Sequence, residues 1–177
     1  MSEQVSEQVS DPATWRVRTA TVDDAGEIAR VHLASHRETY SATGRIPAEV
    51  IEAWSVEGRT DYWGRVAQAA ARGEHAVVVA EAGDEIVGFA HAAPSLDEDR
   101  FGHWSLAAIY LLGAHHGSGA GQALIDAVLR GRASSLWVLA DNPRAHAFYA
   151  RNGFRPDGAE KLDERWGSVP EVRLSRP

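Results

Sequence analysis

The stretch that decides the fold is Ala108-Ile-Tyr-Leu-Leu-Gly-Ala-His-His-Gly-Ser-Gly-Ala-Gly-Gln-Ala-Leu-Ile-Asp-Ala-Val-Leu129. It predicts a buried strand through Leu112, a tight glycine-rich turn and a helix that begins near Gly119. The helix is indicated by apolar residues that recur on one face, namely Leu124, Ile125, Val128 and Leu129. Glycines at 117, 119 and 121 remove side chains where the first helical N–H groups lack intrahelical partners. The stretch therefore predicts a cradle for an anion, in particular for phosphates.

Two other phosphate-binding motifs compete for this stretch. A P-loop needs Gly-Lys-Ser/Thr at the start of the helix, and the only lysine of the chain is Lys161, so a P-loop is excluded. The dinucleotide fingerprint is a closer alternative, because Gly117-x-Gly119 follows a strand and Asp141 ends the next strand, where a ribose-binding acid could lie. However, Gln122 replaces the third glycine, and too few residues follow Asp141 to complete a doubly wound sheet.

Composition narrows the class of protein. A chain of 177 residues is expected to form one domain, over residues 13–177, after a disordered tail over residues 1–12. It contains no cysteine, so a disulfide framework and a cysteine nucleophile are excluded. The net charge of −7 argues against nucleic acid as a partner. No apolar run is long enough for a membrane span and no signal-peptide pattern opens the chain, so we expect a soluble, cytoplasmic protein without a membrane partner.

The order of predicted elements indicates a mixed α/β fold. Strands are expected at residues 15–20, 75–81, 86–92, 104–112, 135–140 and 169–174, and helices at 21–40, from Pro47, at 60–72, from Gly119 and at 144–151. This order, β-α-α-α-β-β-β-α-β-α-β, predicts a mixed sheet with helices on both faces.

Two motifs in the second half resemble a known family. His116-Gly-Ser-Gly119-Ala-Gly121 resembles the pyrophosphate loop Gln/Arg-x-x-Gly-x-Gly/Ala of the GNAT superfamily of acetyl-CoA-dependent N-acetyltransferases, with histidine in place of Gln/Arg. One strand later, the segment from Asn142 through Tyr149 to Gly153-Phe154 is similar to the family's Asn-x-x-Ala-x-x-x-Tyr-x-x-x-Gly-Phe. The resemblance covers about residues 75–155. It implies a GNAT-like acyl-CoA N-acyltransferase fold, with a central, mostly antiparallel sheet flanked by helices on both faces.

The resemblance also implies which residues bind acetyl-CoA. In this family two central strands splay apart at a bulge, and the pantetheine arm of the cofactor pairs with exposed backbone like an additional strand. Here that edge would be Ile109, Tyr110 and Leu111. The pyrophosphate would lie on the loop formed by His116, Gly117, Ser118, Gly119, Ala120, Gly121 and Gln122. Asn142 would bind the pantetheine arm, although a helix N-cap explains it equally well.

Two residues are candidates for catalysis. Tyr149 lies two helical turns after Asn142 and would protonate the leaving thiolate, although packing beside Phe148 is the alternative. The family's glutamate base would fall at Ser105, which accepts a proton poorly. His103, on the same strand face, is a substitute for it, and a solvent-facing histidine is the alternative. Adjacent His115 and His116 lack further ligands at metal spacing, so no metal is expected.

The leading hypothesis is an enzyme that transfers an acetyl group from acetyl-CoA to a primary amine by direct attack in a ternary complex. A small-molecule amine is favoured as the acceptor, and a protein N-terminus or lysine is the alternative. A non-catalytic acyl-CoA-binding module also stays open, because Ser105 replaces the glutamate. The resemblance is compatible with a homodimer.

Overall fold

The computed structural model of the chain describes residues 15–100 and 103–177. The predicted tail over residues 1–12 lies outside these residues. The strands are β1 (Trp15–Thr19), β2 (Ala76–Ala82), β3 (Glu85–Pro94), β4 (Trp104–Leu111), β5 (Ser134–Leu139), β6 (Arg155–Asp163) and β7 (Val169–Arg176). The helices are α1 (Ala25–His36), α2 (Ala48–Glu52), α3 (Val56–Ala71), α4 (Ala120–Leu129) and α5 (Pro143–Arg151).

The strands form one seven-stranded sheet in the order β1-β2-β3-β4-β5-β7-β6. Every neighbouring pair is antiparallel except β4 and β5, which run parallel. The predicted mixed, mostly antiparallel sheet is therefore confirmed. A doubly wound dinucleotide-binding sheet would be mostly parallel, so that alternative is wrong.

Helices cover both faces of the sheet. On one face, α4 contributes Leu124, Ile125, Val128 and Leu129 to a core that also includes Phe148 and Tyr149 of α5. On the other face, α1 and α3 pack Ile28, Val31 and Trp63 against Phe89 of β3. The apolar face predicted for α4 is thus the one that is buried.

One strand was not expected from the sequence. β6 reads Arg-Pro-Asp-Gly-Ala-Glu-Lys-Leu-Asp and is exposed at most of its positions. It forms the edge of the sheet and pairs only with β7, through an irregularity between Pro156 and Glu160. Charged residues and a proline suit an edge strand, but they erase the apolar alternation by which strands are recognised.

The parallel pair β4–β5 opens into a gap. Its register contains only Trp104 with Ser134 and Ser105 with Ser135, at the beginning of both strands. Just beyond, β4 carries a bulge, because His91 of β3 is opposite Ala108 while the next residue, Ala92, is opposite Leu106. A bulge bends its strand and increases its twist. The remainder of β4 therefore diverges from β5, as the resemblance implied.

Gly88 of β3 keeps the outer part of β4 in place. A Cβ atom at this position would lie 2.6 Å from Cδ1 of Leu111, 2.9 Å from the carbonyl oxygen of Tyr110 and 3.2 Å from Cδ1 of Leu124. Such distances require neighbouring atoms to move, and one of these neighbours is backbone. A side chain at residue 88 would thus displace the edge of β4 that borders the gap.

We expect Gly88→Val to destabilise the fold by about 1–3 kcal/mol, because overpacking forces backbone shifts. Thermal and urea denaturation measure the effect. Gly26→Ala is the control, since a Cβ there meets nothing within 4 Å and the residue lies in α1. That control should be neutral or slightly stabilising. Equal melting temperatures for the parent and Gly88→Val would contradict the packing described for β3 and β4.

Candidate active site

The exposed edge of β4 is formed by backbone groups of Ile109 and Leu111. The N–H of Leu112 donates to the carbonyl of Val87 on β3 at 2.9 Å. Because strand residues alternate, the N–H and C=O of Leu111 and Ile109 point the other way, toward the gap between β4 and β5. Tyr110 lies between them, and its side chain packs with the cluster on the α1–α3 face. The three residues predicted to form the cofactor edge therefore border the gap. Ile109 and Leu111 direct backbone groups into it, and Tyr110 lies between them.

The glycine-rich loop leads directly from this edge into α4. Gly117 and Gly119 have positive φ angles of 79° and 90°, which a residue with a side chain adopts at a cost. The indole N–H of Trp15 donates to the carbonyl of Ser118 at 3.1 Å. The hydroxyl of Ser118 accepts from the N–H of Ala120 at 3.3 Å. The following N–H groups at the start of α4 have no intrahelical acceptor, which is the arrangement that binds phosphate.

The two remaining residues of the predicted loop differ in their surroundings. Gly121 lies inside the first turn of α4, and a Cβ there would be 3.7 Å from Cε2 of Phe148. This is an ordinary van der Waals distance, so Gly121 lies in packing contact with α5. Gln122 is exposed, and its amide donates to Asp126 and to Asn152 at 2.7 Å. Its side chain ties α4 to the end of α5, so only its backbone N–H is directed at the cradle.

His116 and Arg144 meet at the mouth of the gap. The Nε2–H of His116 donates to the carbonyl of Leu111 at 2.9 Å, so Nδ1 is the acceptor for Arg144 Nη1, also at 2.9 Å. His116 thereby satisfies a carbonyl on the edge that pantetheine would use. Arg144, exposed at the beginning of α5, adds a positive charge beside the phosphate cradle.

Asn142 caps α5 and keeps a donor free. Its Oδ1 accepts from the N–H of Ala145 at 3.2 Å, which is the N-cap bond. Its Nδ2 has no hydrogen-bond partner within the part of the chain that the structure describes. The side chain is buried just after the carboxyl end of β5, beyond the paired part of β4 and β5. Asn142 can therefore cap α5 through Oδ1 and, at the same time, donate from Nδ2 to an amide carbonyl of a ligand.

Tyr149 is half-buried and packs against the core cluster that also contacts Ile109 and Leu111. Burial raises its pKa above the ordinary value of 10, and Tyr40 contributes in the same direction. The rings of Tyr40 and Tyr110 both pack against His36, with centroid distances of 4.9 and 4.7 Å. Burial also raises the pKa of Tyr110 well above its usual value, with contributions from Tyr40 and Tyr149. These three phenols are therefore protonated donors near the diverging ends of β4 and β5.

A cluster of aromatic rings surrounds His36 on the α1–α3 face. Around it lie the rings of His32, Tyr40, Trp54, Tyr110 and Trp166, all with centroids 4.6–5.0 Å away. His36 is fully buried, and neither ring nitrogen has a hydrogen-bond partner in the described residues. The sequence does carry a signal for this ring cluster, because His32, His36 and Tyr40 recur at four-residue intervals on one face of α1 and its continuation.

Both histidines of the ring cluster are neutral at physiological pH. Burial, with the positive charge of Arg59, lowers the pKa of His32 to about 3. Burial, followed by His32 and Arg59, lowers the pKa of His36 to about 2. Nδ1 of His32 accepts from the indole N–H of Trp63 at 3.1 Å. The histidines therefore form part of an uncharged wall.

Glu171 is a buried carboxylate at the same end of the sheet. It lies on β7 opposite Leu139, the last residue of β5. Burial raises its pKa above the ordinary value, although Lys161, whose Nζ is 3.3 Å from Oε2, acts in the opposite direction. Its charge also acts on Tyr40 and Tyr110. The sequence indicated no role for Glu171, because its position depends on the pairing of β7 with β5.

His103 lies apart from these groups. It is exposed at the residue before β4, and its carbonyl accepts from the N–H of Ser95 at 2.9 Å. Six residues of strand separate it from Ile109, which corresponds to roughly 20 Å. Ser105 lies in the closed part of the β4–β5 pair, opposite Ser135. The structure therefore does not bring His103 together with Tyr149 or with the cofactor edge.

Comparisons with known proteins agree with this geometry. Residues 73–156 match the family described as Acetyltransferase (GNAT) domain. Over 136 residues the chain is 33% identical to the uncharacterized N-acetyltransferase YuaI of Bacillus subtilis (strain 168), a match that covers 72% of this chain and 73% of that protein. The chain belongs to the GNAT superfamily. The predicted acetyl-CoA-dependent N-acetyltransferase is thereby confirmed.

Two solved structures share the GNAT fold with this chain. The PaiA N-acetyltransferase from Thermoplasma acidophilum, in complex with coenzyme A, aligns with a TM-score of 0.72 at 20% identity, over 91% of this chain and 98% of that chain. The acetyltransferase yncA from Salmonella typhimurium, with its cofactor acetyl-CoA, aligns with a TM-score of 0.66 at 17% identity, over 92% and 93%. These likenesses confirm the predicted fold.

The residues of this GNAT protein fit acetyl-CoA. The edge at Ile109 and Leu111 offers backbone donors and acceptors to an amide-containing arm, and the loop before α4 offers N–H groups to phosphates. Among the described residues, no group of three or more histidine, aspartate and glutamate side chains is arranged to hold a metal ion. No helix in that part of the chain is both long and apolar enough to cross a membrane.

We expect Gly119→Val to weaken acetyl-CoA binding at least ten-fold, because a side chain beside Trp15 obstructs the approach of phosphate to the loop backbone. Gly73→Val is the matched control. Gly73 has a similar φ angle, 78°, but follows α3 with open space around it. Both variants should lose about 1–3 kcal/mol of stability through backbone strain. Calorimetric titration should distinguish them, and equal affinities for acetyl-CoA would count against the loop as the phosphate site.

Proposed function

We propose that the protein transfers the acetyl group of acetyl-CoA to the primary amine of a small molecule, by direct attack within a ternary complex. The observation that carries this proposal is a bridge across the α1–α3 side of the gap. Glu38 accepts from the N–H of Gly113, after β4, at 2.8 Å. Arg45 donates to the carbonyl of Asp141, after β5, at 2.6 Å. The segment between α1 and α2 is thus fixed to both diverging strand ends.

This bridge favours a small acceptor over a protein. A protein N-terminus or a lysine side chain enters as part of a chain and needs an open groove beside the thioester. Here the ring cluster around His36 and the fixed segment at Glu38 and Arg45 line that side of the gap. Enclosed, mostly apolar sites with a few polar groups are typical of small-molecule sites.

The reaction needs an amine that has lost its proton. An amine with a pKa near 10 is mostly protonated at neutral pH. Glu171 supports this step, because its buried carboxylate acts electrostatically on Tyr40 and Tyr110 next to the gap, and its raised pKa brings it closer to that of a proton acceptor working at neutral pH. The amine nitrogen then bonds to the acetyl carbon, the carbon–sulfur bond breaks, and the products are an N-acetyl amide and coenzyme A. In this proposal Glu171 takes the place that the sequence assigned to His103.

Tyr149 supports the departure of the thiolate. A thiol of pKa near 8.5, by analogy with cysteine, leaves as an anion unless it receives a hydrogen bond or a proton. The raised pKa of Tyr149 keeps its hydroxyl protonated, and makes hydrogen-bond donation to the sulfur easier than complete proton transfer. As negative charge develops on the sulfur, such a hydrogen bond strengthens, which is the condition for accelerating the reaction.

Tyr149→Phe should lower turnover about ten-fold or more, because it keeps the ring and removes only the hydroxyl. Acetyl-CoA affinity and melting temperature should be nearly unchanged. Glu160→Gln serves as the control, since Glu160 is exposed on β6 and should not affect turnover. Steady-state release of coenzyme A with a reactive amine measures the effect. Full activity in Tyr149→Phe would remove this hydroxyl from the mechanism.

Glu171→Gln should lower kcat/KM most at neutral pH, by about 10² to 10⁴-fold, and less as the pH approaches the pKa of the amine. The reason is that the variant depends on the small fraction of acceptor that is already unprotonated, and this fraction rises ten-fold per pH unit. Glu160→Gln, at an exposed position on the neighbouring strand β6, is the control. Parallel pH profiles for the parent and Glu171→Gln would exclude Glu171 as the base.

A non-catalytic acyl-CoA-binding protein is the alternative, since Ser105 replaces the family's glutamate. Tight binding of acetyl-CoA without release of coenzyme A, across a broad panel of amines, would favour that alternative.

A further inference from the structure

Arg59 stands out on the rim of the ring cluster around His36. Its guanidinium carbon lies 3.4 Å above the centroid of the Trp54 ring and 5.7 Å from that of Tyr62. Trp54 in turn contacts His36 and Trp166, with centroid distances of 5.0 Å to each. A guanidinium stacked on an indole is fixed in orientation while the edge that carries its N–H donors stays available. Arg59 is therefore a preorganised, planar donor group at the proposed acceptor site.

This guanidinium has no carboxylate partner in residues 15–100 and 103–177. Two other arginines, one partly and one fully buried, do have one. Arg18 is paired with Asp24 and Glu81, and the buried Arg173 donates to Asp99 and Asp157. Burial lowers the pKa of Arg59, which means that its surroundings disfavour the charge that it carries. A half-buried cation without an anion is stabilised by an anionic ligand.

Arg59 is also close enough to the reaction centre to act on it electrostatically. Its charge lowers the pKa of both His32 and His36. Tyr110, whose backbone borders the cofactor edge, interacts electrostatically with Arg59 as well. An anionic group bound at Arg59 would thus belong to the same small molecule that presents its amine at the gap between β4 and β5.

We propose that the acceptor is an amine that also carries a carboxylate, as amino acids do, and that Arg59 binds this carboxylate. The inference rests on the function proposed above and names its substrate class. A carboxylate fits because its two oxygens match the two parallel N–H bonds of a guanidinium. The aromatic rings next to Trp54 suit an apolar side chain, and the proposed base Glu171, whose charge acts on Tyr40 and Tyr110 of the ring cluster, would receive the amine's proton. With a net charge of −7, the protein as a whole does not attract anions, so the preference must be local.

The test compares acceptors that differ only in the carboxylate. Phenylalanine and methionine are each assayed beside their carboxamides and beside the corresponding amines without a carboxyl group, with kcat/KM expressed per unprotonated amine. The variants are Arg59→Met, which keeps an aliphatic stem on Trp54, and Arg59→Lys, which keeps the charge without the planar fork. Arg65→Met is the matched control, because Arg65 is exposed on the same helix.

The parent should prefer the carboxylate acceptors by about 10- to 100-fold over their carboxamides. Arg59→Met should abolish this preference, because kcat/KM falls far more for the carboxylate acceptors than for the carboxamides, while the affinity for acetyl-CoA stays the same. Arg59→Lys should restore part of it, and Arg65→Met should match the parent. Melting temperatures confirm that each variant is folded.

Four outcomes would overturn the inference. A parent that acetylates carboxamides or simple amines as well as the amino acids has no carboxylate site. An equal loss for all acceptors in Arg59→Met would make Arg59 a structural residue. A stronger preference for an aminophosphonate would replace the carboxylate by a phosphonate-type anion. If the parent binds acetyl-CoA but acetylates no amine at all, the proposed function fails, and the inference fails with it.

Discussion

The structure depends on a strand edge that is left without a strand partner in the middle of the sheet. β4 and β5 pair over two residues each and then separate, so the backbone groups of Ile109 and Leu111 face a gap. Unpaired backbone groups away from water are costly, and a sheet would normally close over them. The bulge opposite His91 bends β4 away from β5. The missing side chain at Gly88 lets β4 pack closely against β3 and so keeps it in this position. Function is therefore built on a local defect that the surrounding sheet stabilises.

The two faces of the sheet carry different kinds of functional groups. On the α4 side, a glycine loop and a helix N-terminus present N–H groups, which suit phosphates. On the α1–α3 side, buried neutral histidines and aromatic rings form an uncharged wall, and the buried carboxylate of Glu171 and the stacked guanidinium of Arg59 lie near it. Burial is the reason, because imidazoles enclosed by rings lose their proton and add no charge of their own beside Glu171 and Arg59. An acceptor with opposite charges at its two ends matches this pattern of charges.

Local sequence patterns predicted well the elements of the candidate cofactor site. Features that depend on contacts between distant parts of the chain could not be predicted in this way. The glycine loop, α4 and α5 can each be recognised from about ten consecutive residues. Their order in the chain is what makes the sequence resemble the GNAT superfamily. Strand β6 lacked such a signal because an edge strand can be polar. Glu171 reaches the gap only through the register of β7 on β5, and Arg59 only through its stacking on Trp54. His103 was predicted as a base from its position along β4 alone. That position does not show at which end of β4 the strands diverge.

His116, a residue of the glycine-rich loop, forms a hydrogen bond with the exposed edge of β4. The family's pyrophosphate loop begins with a long polar residue, whereas here an imidazole donates to the carbonyl of Leu111 and is held by Arg144 on its other nitrogen. A pantetheine amide that pairs with Leu111 must exchange this hydrogen bond for its own. Because one N–H···O bond replaces another, the net cost of the exchange is small compared with that of exposing a bare carbonyl. If pantetheine pairs there as proposed, the imidazole and Arg144 would be released next to the proposed phosphate cradle, and the group that satisfies the edge would become available to the ligand that displaces it.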